Sequence, residues 1–125
     1  MRFRLVTRKR RSARLCRGAE SSALRRAVPG AAILDLERSG ERTLDRFNLS
    51  DLFEYVSLDH YRRMLEAIVR CSRRGARLAY WNMLARRRRP DALADRLRPL
   101  DELAGRLHLA DRAFFYSAFR VEEVL

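Results

Sequence analysis

Polar side chains suited to acid–base chemistry cluster where a short apolar segment gives way to a turn. They are Asn48, Ser50, Asp51, Glu54 and Tyr55. A carboxylate at a strand-to-helix turn can bind an ammonium group or accept a proton, and an asparagine can orient a carboxylate or a hydroxyl. Serine and aspartate are also ordinary turn or capping residues, so the local pattern leaves both interpretations open.

A second polar position stands near the end of another apolar segment. Arg77–Leu84 reads RLAYWNML, and Asn82 lies near its end. Ligands of open α/β sheets bind outside the carboxyl ends of the strands. The two segment ends therefore predict one candidate site, whereas Tyr80 and Trp81 are expected in the core.

The segment between these two sites has the pattern of an amphipathic helix. Ser57 is placed to cap its amino end, Asp59 falls in the first turn, and Gly75 can close it. The predicted apolar face consists of Leu58, Tyr61, Leu65, Ile68 and Val69. Leu44, Phe47 and Leu49 predict a short buried strand before the helix, ending at residues 48–51. The continuous apolar run after it predicts a strand covered on both faces, hence a right-handed βαβ unit.

The last third of the chain predicts another helix and strand. Leucines at 93, 97, 100, 103 and 107 have helical spacing, but Pro99 predicts a kink or two short helices. Ala113–Phe119 (AFFYSAF) is predicted as a strand, and Val121–Leu125 as a terminal strand or a frayed end. The order β-α-β-α-β predicts an α/β layered sheet.

The net charge of +12 is concentrated at the amino end of the 125 residues. Residues 1–30 carry ten basic side chains and one acid, whereas residues 31–125 carry eighteen and fifteen. We expect residues 1–30 to be a basic, poorly ordered arm and residues 31–125 to be the α/β unit. Such an arm suits a transit peptide, a nucleic-acid contact or an anionic lipid surface.

Several classes of protein are disfavoured by the sequence. Cys16 and Cys71 are far apart, and neither His60 nor His108 has metal-ligand spacing with them, so we expect no metal site and no disulfide scaffold. No apolar stretch approaches the roughly 20 residues that span a bilayer. A cytoplasmic protein, with or without peripheral contact at the inner membrane surface, is the expectation.

Four stretches in a fixed order carry a family resemblance. Phe47–Ser57 reads FNLSDLFEYVS, and it is followed by RLAYWNML, RRRRPDALADRL and DRAFFYSAF. Over about Asp45–Val121 the chain resembles the S-adenosylmethionine:diacylglycerol 3-amino-3-carboxypropyltransferases of betaine-lipid synthesis. Residues 1–44 show no such resemblance.

The resemblance implies a Rossmann-like sheet of the class I methyltransferase type. It also implies transfer of the 3-amino-3-carboxypropyl group of S-adenosylmethionine to the hydroxyl of diacylglycerol, the lipid acceptor. Carried over residue by residue, Asp51, Glu54 and Tyr55 become catalytic candidates, with Asp51 preferred as base or amine ligand. The same transfer makes Asn48, Ser50 and Asn82 substrate-binding candidates.

The cofactor-binding half of such an enzyme is not evident in the sequence. No two of the five glycines are close enough for the G-x-G turn that cradles a nucleotide. We therefore expect an incomplete Rossmann-like sheet, the carboxyl-terminal part of such an enzyme, inactive alone. It is expected to self-associate or to need a partner that carries the missing half.

A non-catalytic binding module is the alternative. The basic arm and the run Arg86–Arg89 could contact nucleic-acid phosphates or anionic lipid headgroups. No helix-turn-helix, zinc-finger or RNA-binding signature accompanies the charge, so no specific nucleic acid is expected.

Overall fold

The computed structural model describes residues 42 and 44–125, together with the backbone of two short segments near the amino end. These segments, β1 (Arg4–Leu5) and β2 (Arg25–Arg26), pair antiparallel. They belong to the basic arm, and the remainder of the arm lies outside the described residues. Residues 31–36, a short apolar run whose sequence predicts a strand or a helix, lie outside them as well.

The remaining elements form one mixed four-stranded sheet with two α-helices. In chain order they are β3 (Leu44–Ser50), a 3-10 turn (Leu52–Tyr55), α1 (Leu58–Cys71), β4 (Ser72–Asn82), a second 3-10 turn (Asp91–Leu93), β5 (Leu97–Pro99), α2 (Asp101–Leu109) and β6 (Ala118–Val124). The sheet order is β3-β4-β6-β5, with β3 parallel to β4 and β6 antiparallel to both of its neighbours. The predicted α/β class is confirmed, with β5 as an additional short strand.

Helix α1 begins where its capping residue predicts. The Ser57 hydroxyl accepts a hydrogen bond from the His60 backbone N–H at 3.2 Å, which satisfies one of the free donors of the first turn. The buried face consists of Tyr61, Met64, Leu65, Ala67, Ile68, Val69 and Cys71. Leu58 is 47% exposed instead, because the first helical position extends beyond the buried core.

Gly75 does not end the helix. Helix α1 stops at Cys71, where the Ser72 N–H bonds to the Val69 carbonyl, and β4 follows at once. Leu44 pairs with Ser72 whereas Arg46 pairs with Arg77, so β4 carries extra residues that form a bulge. Gly75 lies in that bulge with φ +78°, a conformation that costs glycine little.

One face of β4 is buried and the other is only partly covered. Ala76, Leu78 and Tyr80 are buried and belong to the core that packs against α1. Ala79 and Trp81, on the alternate face, keep intermediate exposure. The prediction of a strand covered on both faces is therefore wrong, and β4 has the one-sided burial common in sheets with antiparallel pairs.

The last third departs most from the predicted elements. Leu97 and Pro99 lie in β5 rather than in a helix, and Pro99 is tolerated because β5 is an edge strand. Ala113–Phe119 is mostly a turn region, and β6 begins only at Ala118. The terminal-strand alternative for Val121–Leu125 is the one confirmed.

No helix in the described part of the chain combines the length and apolar character needed to cross a membrane.

Candidate functional site

The carboxyl ends of β3 and β4 lie at the same edge of the sheet because these strands are parallel. The chain turns sharply after β3, where Ser50 has φ +51°. The Asn48 side-chain oxygen accepts the Ser50 backbone N–H at 3.1 Å, an Asx-type contact that stabilises this turn. As a result, Asp51 enters the interior and is only 2% exposed.

Asp51 is the centre of a small group of hydroxyls. Its Oδ1 accepts from the Ser50 hydroxyl and its Oδ2 accepts from the Tyr116 hydroxyl, both at 3.3 Å. The Tyr55 side chain also forms a hydrogen bond with Asp51. Burial and then the Asp51 charge raise the pKa of Tyr55 and Tyr116, so both phenols keep their protons and donate. A carboxylate in this position can accept a hydrogen bond from the hydroxyl of an incoming alcohol.

Glu54 has a different environment from Asp51. Its carboxylate accepts the backbone N–H groups of Met83 (2.7 Å), Leu84 (3.0 Å) and Ala85 (3.0 Å). Burial disfavours its charge, but these three hydrogen bonds and the nearby Arg87 outweigh that cost and hold the pKa of Glu54 below its usual range. The geometry therefore favours Glu54 as a positioning residue that fixes the segment after β4.

Asn82 is held apart from the Asp51 group. Its side-chain Nδ2 donates to the Arg87 carbonyl at 2.7 Å. Its main-chain carbonyl accepts both the N–H (2.8 Å) and the hydroxyl (3.1 Å) of Ser117. Within the described residues, no hydrogen bond joins the Asn82 and Asp51 side chains. The candidate residues thus form two groups at one sheet edge, joined by Tyr116 and Ser117.

Arg87 performs a structural role within the run Arg86–Arg89. Its Nε donates to the Phe53 carbonyl at 3.3 Å, and its Nη2 donates to the Val56 carbonyl at 2.8 Å. The guanidinium lies over the Tyr61 ring, 5.4 Å from the ring centre. This arginine therefore ties the turn after β3 to the segment after β4.

Arg89 is also directed inward, whereas its neighbours are not. Its Nη1 donates to the carbonyls of Ala94 (3.2 Å) and Leu97 (3.1 Å). Arg86 and Arg88 are exposed, and no ion pair or hydrogen bond of either side chain is found in the described part of the chain. Only half of the run thus presents charge to a partner.

Sequence reasoning missed Tyr116 and Glu122. Tyr116 lay in a segment predicted as a strand, so nothing indicated that its hydroxyl reaches Asp51. Glu122 is 2% exposed, and its Oε1 accepts the Tyr80 hydroxyl (2.9 Å) and the Arg89 N–H (3.1 Å). Burial raises the pKa of Glu122, although both hydrogen bonds oppose that shift. An acid in a short terminal strand gives no sequence signal for such burial.

An exposed aromatic cluster adjoins Asp51. It comprises Trp81, Phe114, Phe115, Tyr116 and Phe119. Phe114 is 92% exposed and Phe115 56% exposed, while the Phe115 and Tyr116 rings are 4.4 Å apart. Trp81, expected in the core, is half-buried instead, and its indole N–H donates to Asp111 at 2.7 Å. An apolar surface beside a hydroxyl-binding carboxylate is suited to an amphiphilic molecule.

No nucleotide cradle is found among the described residues. Gly75 lies in the β4 bulge and Gly105 in α2, so neither forms a strand-to-helix turn. Gly18, Gly30 and Gly40 lie outside the described residues. The described residues therefore contribute no glycine turn for the adenosyl part of S-adenosylmethionine.

No family model, curated protein or solved structure matches the chain.

Proposed function

We propose that the described residues form the acceptor side of a transferase that moves the 3-amino-3-carboxypropyl group of S-adenosylmethionine to the hydroxyl of diacylglycerol. The observation that carries this proposal is the buried Asp51 carboxylate at the carboxyl end of β3, with hydroxyl donors on both of its oxygens. The motif resemblance supplies the identity of donor and acceptor.

The sheet topology supports a Rossmann-like fold of the methyltransferase type. In such folds the carboxyl-terminal half contains two adjacent parallel strands, followed by one antiparallel strand inserted before the edge strand. The order β3-β4-β6-β5, with β6 antiparallel to its neighbours, has this arrangement. The Asp51 group lies at the sheet edge where ligands of these folds bind.

Asp51 would remove the proton of the acceptor hydroxyl. The alcohol would replace the Tyr116 or Ser50 hydroxyl on the carboxylate, and the displaced hydroxyl could then donate to the alcohol oxygen to orient it. Glu54 acts indirectly, by holding Met83–Ala85 beside the site. Because the described residues supply no cradle for the donor, their proposed chemistry is to bind the acceptor and to take up the proton that its oxygen would lose as it bonds to the transferred carbon and the sulfur leaves.

The exposed aromatic cluster would hold the acyl chains of the acceptor. Phe114 and Phe115 are exposed, and Tyr116 connects them to Asp51. An acceptor that resides in a bilayer requires the protein to approach a membrane surface. We extend the proposal to a peripheral position on the inner membrane surface, with the donor-binding residues contributed by another part of this chain or by a partner.

Photoaffinity labelling tests the acceptor site. The full chain would be irradiated with a photoreactive diacylglycerol in detergent micelles, and the modified peptides would be identified by mass spectrometry. We expect labelling concentrated in residues 50–55 and 112–117, and competition by unmodified diacylglycerol. Labelling spread evenly over the surface, or no competition, would contradict the proposal.

A further inference from the structure

We propose a binding site for a phosphate monoester in the cavity between the segment after β4 and strand β6. The cavity has a volume of about 380 Å³ and is lined by Asn82, Arg86, Arg87, Arg88, Ser117, Ala118 and Arg120. Four of these residues are arginines and none is acidic. This site is distinct from the Asp51 group and does not depend on the transferase proposal.

The uncompensated charge comes mainly from Arg86 and Arg88. The Arg87 guanidinium donates to the Phe53 and Val56 carbonyls, and its charge acts on the nearby Glu54 carboxylate. Arg120 lies 3.6 Å from Asp101, so part of its charge is balanced. Arg86 and Arg88 have no such partner among the described residues, and guanidinium groups bind phosphate oxygens by paired, charge-assisted hydrogen bonds.

Asn82 fixes one part of the cavity wall. It is 2% exposed, and its Oδ1 is buried with no hydrogen-bond partner within the described residues. The amide cannot be turned round, because Nδ2 must donate to the Arg87 carbonyl. Oδ1 itself is closed off from the cavity, so Asn82 contributes by holding the Arg87 carbonyl at the cavity wall.

These features together select a phosphate monoester. Its second pKa is about 6 and neighbouring guanidinium groups lower it further, so the monoester presents two negative charges at neutral pH. A phosphodiester, as in nucleic acid, carries only one negative charge, so it matches four arginines less well. A cavity near the lower end of the usual range for small-molecule sites also suits a compact ligand rather than a polymer.

A neighbouring cavity is less suited to an anion. It has a volume of about 260 Å³ and shares Arg88 and Arg120 with the first, but its lining includes Asp91, Asp101 and Glu122. These acids would repel a phosphate. We therefore assign the phosphate site to the larger of these two cavities, whose lining has no carboxylate.

Calorimetry with glycerol 3-phosphate tests the site, at a constant ionic strength set with sodium chloride. We expect the full chain to bind with a Kd of about 1 mM or tighter. The R86Q/R88Q variant should weaken binding roughly tenfold or more, because both unpaired guanidinium groups are lost. The matched control R62Q/R63Q removes two exposed arginines from α1 and should bind as the unmodified chain does.

A spectroscopic reading locates the ligand. The side-chain amide resonances of Asn82 should shift on titration with glycerol 3-phosphate in the unmodified chain and in R62Q/R63Q, but not in R86Q/R88Q. Equal loss of affinity in both double variants would overturn the proposal, since it would show only a response to net charge. Absence of an Asn82 shift would overturn it too.

Two further probes identify the source of the phosphate. Cosedimentation with vesicles containing phosphatidic acid, a lipid monoester, tests a headgroup, whereas glycerol 3-phosphate tests a soluble ligand. Binding of either that depends on Arg86 and Arg88 supports the proposal. Binding of neither, or stronger binding of a single-stranded oligonucleotide than of both, would overturn it.

Discussion

The Tyr116 hydroxyl donates a hydrogen bond to the Asp51 carboxylate over 3.3 Å, although the two residues are 65 positions apart in the chain. Asp51 follows the first strand of the parallel pair, and Tyr116 precedes the antiparallel strand β6. This contact makes the Asp51 group a feature of the whole sheet edge rather than of a local turn.

Asp51→Asn should abolish proton acceptance while preserving the fold. The asparagine oxygen can take the place of Oδ2 and accept from Tyr116 while its NH₂ group donates to the Ser50 hydroxyl, so the melting temperature should change little. Loss of a general base typically costs about 10²–10⁴-fold in rate. The assay measures transfer of label from S-adenosylmethionine to lipid, in cell extracts that contain the protein carrying the donor-binding residues. The rate of transfer should fall by that factor.

The matched control for this substitution is Asp95→Asn, which neutralises an exposed acid outside the site. Equal activity of the two variants would show that the Asp51 carboxylate is not the base.

Glu54→Gln should destabilise the protein. The substitution removes a charged acceptor from three backbone N–H groups and should lower the free energy of unfolding by about 1.5–3 kcal/mol. Urea unfolding measures the change. Glu66→Gln, at an exposed position of α1, should stay within about 0.5 kcal/mol of the unmodified protein.

The effect of Glu54 should depend on pH in a defined direction. The pKa of Glu54 is lowered in the folded protein, so its contribution is fully present above the unfolded value of 4.5 and is lost as pH falls through the folded value. The difference in unfolding free energy between the unmodified protein and Glu54→Gln should therefore shrink in acid. A difference that grows below pH 4.5 would contradict this role.

Glu122→Gln should raise the free energy of unfolding at neutral pH, whereas Glu54→Gln lowers it. Burial raises the pKa of Glu122 in the folded protein, so the folded state holds its proton more tightly. Stability of the unmodified protein should therefore decline as pH rises from about 4.5 through the folded pKa. Thermal unfolding as a function of pH should show a smaller decline in this variant, and an identical decline would refute the assignment.

Replacement of Arg87 by methionine should lower the free energy of unfolding much more than replacement of Arg88. Arg87→Met removes the donors to the Phe53 and Val56 carbonyls, which should cost about 2–3 kcal/mol of unfolding free energy. Arg88→Met, at an exposed position without such contacts, should stay within about 0.5 kcal/mol. Chemical denaturation measures both changes. Equal losses of unfolding free energy would show that Arg87 and Arg88 do not differ in their structural roles.

Removal of the exposed aromatic rings should affect acceptor binding but not stability. The double variant F114S/F115S should label much less with photoreactive diacylglycerol, because it removes apolar surface beside Asp51. Its melting temperature should be nearly unchanged. L107S/L125S removes two apolar side chains that are also exposed but lie outside the cluster, and it should label like the unmodified chain.

The sequence predicts the βαβ unit well because its signals are local. The cap at Ser57, the helical spacing of Tyr61, Leu65 and Ile68, and the polar end of β3 all depend on residues close together in the chain. These features placed Asp51 at a strand end without any tertiary information.

The rest of the fold and of the candidate site depends on contacts between residues far apart in the chain, which composition and local spacing do not reveal. The aromatic segment around Phe114 is as apolar as a strand, yet it is exposed because β6 begins later, at Ala118. Nothing near Glu54 in sequence indicates that its partners are backbone groups about thirty residues away. A glycine at position 75 suits a helix end as well as a bulge, and only the long-range register of β3 with β4 distinguishes the two.

Nuclear magnetic resonance titration of the ¹⁵N-labelled chain tests the central claim most directly. Water-soluble dioctanoylglycerol should shift the backbone amides of residues 50–55 and 113–117 together, whereas S-adenosylmethionine should leave the amides of residues 44–125 unchanged. Shifts caused by S-adenosylmethionine at the Asp51 edge, or no response there to dioctanoylglycerol, would contradict an acceptor site built on Asp51 and Tyr116.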